Sequence, residues 1–172
     1  MRRKIGTPIA IMAVLSIIGL LIVANLGCEN TSQPKSLKVG ALLPQTGAGA
    51  VFADYIKKGL DLAAEEINAK NPGSIKLVYG DSKNDPKEGI TVFRQMVLTE
   101  KPPVIVVALS SVTKAVASLA KDNKTVVIGT AVALPKVTEP SEFVFRVYPE
   151  ANGLAGVIAQ YAAPKYKTAA VA

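Results

Sequence analysis

Apolar and polar positions fall into blocks along this chain, and from Lys38 onward the blocks alternate between two lengths. Val39 to Leu43 is apolar throughout, as a strand buried on both faces should be. Val51 to Asn68 sets Ile56, Leu60, Ala63, Ala64 and Ile67 on one stripe with Lys57, Lys58, Asp61 and Glu65 off it, which predicts an amphipathic helix. Ile75 to Tyr79 reads as a second strand. Asp85, Pro86 and Glu88 predict a helix start: a side-chain cap, a proline at the first helical position and a glutamate reaching back. That helix runs to about Glu100 with Ile90, Phe93, Met96 and Val97 inward, and Pro102 and Pro103 stop it. Val104 to Leu109 and Val126 to Gly129 are the third and fourth strands. Between them Ser110 and Ser111 are placed to cap a helix that turns Val116 and Leu119 to the core.

Strands and helices that alternate with crossovers of this length imply an α/β fold: a parallel sheet with helices on both faces, because each crossover must be right-handed. Beyond the fourth strand, Phe143 to Val147 is extended and Ala151 to Ala163 has helical character. Thr168 to Ala172 reads as a strand that stops before any connection, so the chain is expected to continue in the complete protein.

The N-terminal block differs from the rest. Met1 to Lys4 carries three positive charges, and Ile9 to Ala24 is apolar apart from Ser16. Small Gly27 and the single cysteine, Cys28, follow. A basic start, an apolar stretch and a small residue before the cut are what a secretory signal needs. The Gly27-Cys28 junction resembles the lipobox of bacterial lipoproteins, where a diacylglycerol is attached to the thiol. Asn25 and Leu26 depart from that pattern, and an uncleaved transmembrane anchor is the other reading. Either one tethers the remaining chain outside the cytoplasmic membrane. The expected organisation is a signal over residues 1–28, a polar tether over 29–36, a first lobe over 37–149, and a crossover with the opening strand and helix of a second lobe over 150–172.

Charge and composition mainly exclude. The net charge of +7 includes Arg2, Arg3 and Lys4 of the signal, and the other basic residues are scattered among 13 acidic ones without a basic run. Nucleic acid is therefore not an expected partner. There is no histidine and no cysteine after Cys28, so neither a zinc site nor a disulfide is expected, and no cofactor is called for. No residues stand in a pattern suited to nucleophilic catalysis.

In a parallel sheet, ligands bind beyond the carboxyl ends of the strands. Four loops are expected there: Pro44 to Ala50, Asp81 to Asn84, Ser110 to Ser111, and Thr130 to Pro135. The serine pair offers hydroxyls and backbone N–H groups at a helix start, which suits an anion, or else it only caps that helix. Phe52 at the same edge either closes over a ligand or plugs the core. Gly47 and Gly49 lack the following residues of a phosphate loop. Asp81 and Asp85 do not make a metal site, since Asp85 is used in capping.

Leu37 to Ala172 resembles the type I periplasmic binding proteins, in the Leu/Ile/Val-binding branch that serves ABC importers. The resemblance rests on Lys38-Val-Gly-Ala-Leu-Leu-Pro-Gln-Thr-Gly47, Ala63-Ala-Glu-Glu-Ile-Asn68, Gly80-Asp-Ser-Lys-Asn-Asp-Pro86, Ala108-Leu-Ser-Ser111 and Phe143-Val-Phe-Arg-Val-Tyr-Pro149. It implies two Rossmann-like lobes joined by crossovers and closing on a solute, of which this chain holds the first. By the same resemblance Ser111, with Ser110 beside it, receives an α-carboxylate, and strand-four groups fall on Ala131 and Ala133. Ala133 stands where amino-acid binders use threonine, with Thr130 as the neighbouring hydroxyl. The ring flanking the ligand maps onto Phe52.

The function expected is that of a non-enzymatic, lipid-anchored solute-binding protein on the extracytoplasmic side of the membrane. It would carry a small polar solute, a branched-chain amino acid or related carboxylate, to an ABC permease. An extracytoplasmic sensor domain is the alternative, and a flavodoxin-like redox module comes third.

Overall fold

The computed structural model describes residues 36–168; the signal, Cys28 and all of the tether except Ser36 lie outside the described residues. The elements are β1 (Leu37–Leu43), a 3-10 turn (Gly47–Gly49), α1 (Ala50–Lys70), β2 (Ile75–Asp81), α2 (Pro86–Thr99), β3 (Val104–Ala108), α3 (Ser110–Asp122), β4 (Val126–Thr130), β5 (Val144–Arg146) and α4 (Ala151–Ala162). All strand pairs are parallel, in the order β2-β1-β3-β4-β5. The strand and helix spans read from periodicity agree with these to within a few residues, and the expected extended segment near Phe143 adds β5 to the sheet.

Alternation along the strands sorts the core onto two faces. Leu42, Ile105, Val107, Val127 and Val144 point toward α2 and α3, where they meet Phe93, Met96, Val112 and Val116. Ala41, Leu43 and Ala108 point the other way, toward Ala53, Ile56 and Leu60 of α1. Helices on both faces are thus built into the strand pattern. Close approach of α2 to α3 depends on Gly89, where an added methyl would lie 2.6 Å from Val112 Cγ1.

Three expectations are corrected. The α1 stripe is only partly buried: Ala53 is enclosed and Ile56, Leu60 and Ala64 are half-buried, but Ala63 is exposed and Ile67 is 44% exposed. The reason is that the second half of α1 outruns the part of the sheet beneath it. At the start of α2, Asp85 accepts from the Glu88 N–H at 2.8 Å as expected, but Glu88 does not reach back. Its carboxylate lies 3.4 Å from Lys83 Nζ instead, and the Asp85 N–H donates to the Ser82 carbonyl. Finally, Thr168 is not in a strand, and residues 169–172 lie outside the described ones.

α4 forms where its sequence predicts it, yet none of its residues is buried, with Leu154, Val157, Ile158 and Tyr161 all exposed. Among the described residues no helix is long and apolar enough to cross a membrane.

Candidate functional site

The carboxyl ends of the strands are brought level by register: Leu43 lies beside Asp81, and Ala108 beside Thr130. β1 sends its chain to α1 on one face while β3 sends its chain to α3 on the other. The loops after these adjacent strands therefore part, which opens a crevice at this switch point. The two loops still touch at their bases, since a methyl on Gly49 would lie 2.8 Å from Pro44 Cβ and 3.3 Å from Leu109 Cδ1.

Asp81, which in sequence looked like half of a metal site, shapes the rim of this crevice. Its Oδ1 accepts from the N–H groups of Gln45 at 2.8 Å, Thr46 at 3.3 Å and Lys83 at 2.9 Å. Its Oδ2 accepts from the Thr46 hydroxyl at 2.6 Å. Partial burial pulls the carboxyl's pKa upward, but the hydrogen bonds from Thr46, Lys83 and Gln45 together outweigh it and hold Asp81 below the usual carboxylate range. One anion thus ties the loop after β1 to the loop after β2, and no carboxylate oxygen is left over for a cation.

The serine pair does not cap α3. The N-cap position belongs to Leu109, whose backbone is left-handed at φ 70° and which has no side-chain bond to the helix. Leu109 is held in that conformation from both sides: its N–H donates to the Thr130 carbonyl at 3.1 Å, and its carbonyl accepts from the Thr113 N–H at 3.1 Å and the Thr113 hydroxyl at 2.8 Å. Ser110 and Ser111 become the first two helical residues, with their N–H groups in the turn that has no intrahelical partners. Ser111 is exposed, and its hydroxyl donates to Asn84 Oδ1 at 3.2 Å. The hydroxyls and amides are thus free of the capping role expected for them, and a helix N-terminus favours an anion.

Thr130 closes β4 and is half-buried, and Ala131 follows with a left-handed φ of 53°. Ala133 is half-buried, and its carbonyl is taken by the Ala151 N–H at 2.9 Å. Phe52 sits on the first turn of α1, three residues past Gly49, and is 50% exposed. It does not plug the core. Ser111, Asn84, Leu109 and Thr130 are linked by direct bonds, whereas Phe52 shares their edge from the opposite face of the sheet.

A family model described as periplasmic binding protein matches residues 36–172. The chain belongs to the periplasmic binding protein family. It is 34% identical over 140 residues to a Leu/Ile/Val-binding protein homolog 2 of Brucella abortus, covering 79% of this chain and 38% of that one. It is 31% identical over 132 residues to an amino acid binding protein of Pseudomonas aeruginosa, covering 74% and 33%. Among solved structures, the substrate-binding protein LivJ of Streptococcus pneumoniae in complex with isoleucine matches with a TM-score of 0.64 at 25% identity, over 67% of this chain and 34% of that one. A solute-binding protein from Rhodopseudomonas palustris in complex with 3,4-dihydroxybenzoic acid shares the fold, with a TM-score of 0.70 at 23% identity over 75% and 36%. The chain therefore spans well under half the length of these periplasmic binding proteins.

Sequence reasoning missed Asn84 and the Asp81 clasp. Asn84 carries a left-handed φ of 57°, beside Lys83 at 51°. An asparagine ahead of the Asp85-Pro86 helix start was the available signal, since asparagine tolerates this conformation better than most residues.

Proposed function

We propose that this chain is the first lobe of an extracytoplasmic solute-binding protein that takes up a small carboxylate-bearing solute and delivers it to an ABC permease. The observation that carries the reading is the turn at Leu109, which frees Ser110 and Ser111 of capping and turns two hydroxyls and the first amides of α3 into the crevice edge. The solutes named for the solved relatives, isoleucine and 3,4-dihydroxybenzoic acid, differ in shape and in amine content but share a carboxylate. A carboxylate at Ser111 replaces one exposed 3.2 Å bond to Asn84, a small cost against a charge-assisted bond.

In this reading Ser111 and Ser110 hold the carboxylate, Phe52 covers the solute's apolar part, and the loop of Thr130, Ala131 and Ala133 supplies its remaining polar contacts. Ala131 and Ala133 have no side-chain donors, so that loop acts through its backbone and through Thr130. Val147 to Glu150 is the first crossover of a two-lobed protein, and α4 with its uncovered apolar side chains opens the second lobe. No residue serves catalysis. Cys28 carries the lipid that keeps the mature protein at the membrane.

The decisive test uses the full-length protein and calorimetry with L-isoleucine, L-leucine and 4-hydroxybenzoate. Ser111→Ala should weaken whichever solute binds by more than tenfold; equal affinity in variant and wild type would remove Ser111 from the site. For the anchor, Cys28→Ser should release the protein from membranes or leave it unprocessed. A Cys28→Ser protein that stays membrane-bound, with no fatty acid incorporated into the wild type, would favour the uncleaved anchor.

A further inference from the structure

The loop after β4 is bracketed by two residues in the left-handed region, Ala131 at φ 53° and Lys136 at φ 60°. Neither is glycine, and such conformations persist only where the surroundings impose them. Here every fastener identified comes from one short stretch of chain. Arg146 Nη1 donates to the Leu134 carbonyl at 2.9 Å, and its Nη2 lies 3.4 Å from Glu150 Oε1. The same Glu150 oxygen accepts from the Lys136 N–H at 3.2 Å. The Ala151 N–H donates to the Ala133 carbonyl at 2.9 Å.

Two features set this arrangement apart from an ordinary surface ion pair. The Arg146 side chain is only 18% exposed, so its bonds are less screened than those of the other ion pairs among the described residues. Glu150 occupies the N-cap position of α4 yet makes no side-chain bond to that helix. A carboxylate at a helix start ordinarily caps it; this one is turned back to the loop.

We propose that Arg146 and Glu150 are positioning residues that couple the solute-facing loop after β4 to the passage out of the lobe. The proposal rests on the reading of the carboxyl edge as a solute site. Ala131 and Ala133 have only backbone groups to offer, so the conformation of residues 131–136 sets what a solute meets there. That conformation is held from Arg146 to Ala151. A solute that selects one geometry of the loop therefore selects one geometry of the crossover, and by reciprocity the crossover geometry sets the affinity.

The test uses the full-length protein and three variants, Arg146→Gln, Arg146→Lys and Glu150→Gln. Amide hydrogen exchange is followed at residues 132–136 and 147–151, with calorimetric titration of L-isoleucine and 4-hydroxybenzoate. Arg146→Gln and Glu150→Gln are expected to raise exchange in both segments together while leaving the β1 and β3 amides protected. They should also weaken binding about tenfold. Arg146→Lys, which keeps the charge but loses the planar fork, should not restore it. In wild type, bound solute should slow exchange at the Lys136 and Ala151 amides, and in Glu150→Gln it should not. Unchanged exchange at 132–136 in the glutamine variants, or unchanged affinity with the fold intact, overturns the proposal. If wild type binds neither probe, the solute reading is the one that fails, and the paired rise in exchange still decides whether the two segments are coupled.

Discussion

The Thr46 hydroxyl donates to Asp81 Oδ2 at 2.6 Å, joining the loop after the central strand β1 to the end of the edge strand β2. The same carboxylate takes three backbone N–H groups from those two loops. Replacing Asp81 by Ala strips the acceptor from all of them and is expected to cost about 1–3 kcal/mol, the usual range for removing a charged hydrogen-bond partner. Because the native carboxyl lies below its ordinary pKa, the native state binds fewer protons than the unfolded chain. Its contribution is present above about pH 4 and lost as the pH falls through the native value. Denaturant unfolding of wild type and Asp81→Asn from pH 7 to pH 2 should show the difference between them shrinking as the acid limb is entered.

Capping separates two residues that look alike in sequence. Asp85 accepts from the Glu88 N–H at 2.8 Å, so Asp85→Ala should cost about 1 kcal/mol. Ser111 lies inside α3 and caps nothing, so Ser111→Ala should change stability by less than about 0.5 kcal/mol, as an exposed substitution does. Equal losses in urea titrations would mean that Ser111 does cap.

Two helix glycines should respond with opposite signs. Gly59 in α1 has nothing within 4 Å of an added methyl, so Gly59→Ala should stabilise by about 0.5–1 kcal/mol through backbone entropy alone. Gly89 in α2 would set its methyl 2.6 Å from Val112 Cγ1, inside the core. Overpacking of that kind costs about 1–3 kcal/mol, more than the propensity gain, so Gly89→Ala should destabilise. Adding Val112→Ala should cost less in the Gly89→Ala background than in wild type, which a double-mutant cycle on thermal unfolding would reveal.

Tyr79 donates its hydroxyl to Asp61 Oδ1 at 2.5 Å, under the Lys57 ammonium that lies 4.5 Å from its ring centre. Burial, then the bond to Asp61 and its charge, hold the phenol well above its ordinary range. The native state thus keeps a proton that the unfolded chain gives up near pH 10, so this contribution is complete below that pH and is lost as the pH rises through the native value. Wild type should therefore lose stability above about pH 10 more steeply than Tyr79→Phe. Parallel alkaline limbs in the two proteins would contradict the bond to Asp61.

Periodicity alone determined most of this fold. Unbroken apolar runs such as Val39 to Leu43 can satisfy neither a helix stripe nor a half-exposed strand, and Asp85-Pro86 leaves little choice about where α2 begins. The carboxyl edge as the place of the site followed from strand and helix alternation, since a parallel sheet puts the loops after its strands at one edge. What only the tertiary structure decided were bonds between segments far apart in sequence. Leu109 takes the cap position from the serines because the Thr130 carbonyl and Thr113 hold it there. Asp81 serves two loops because register sets it beside Leu43. Arg146 and Glu150 face the loop after β4 because β5 pairs with β4 in parallel, carrying the outgoing chain past that loop. Local pattern encodes what each residue prefers among its neighbours in sequence, whereas these partners are chosen by sheet order and register, which exist only once distant strands have paired.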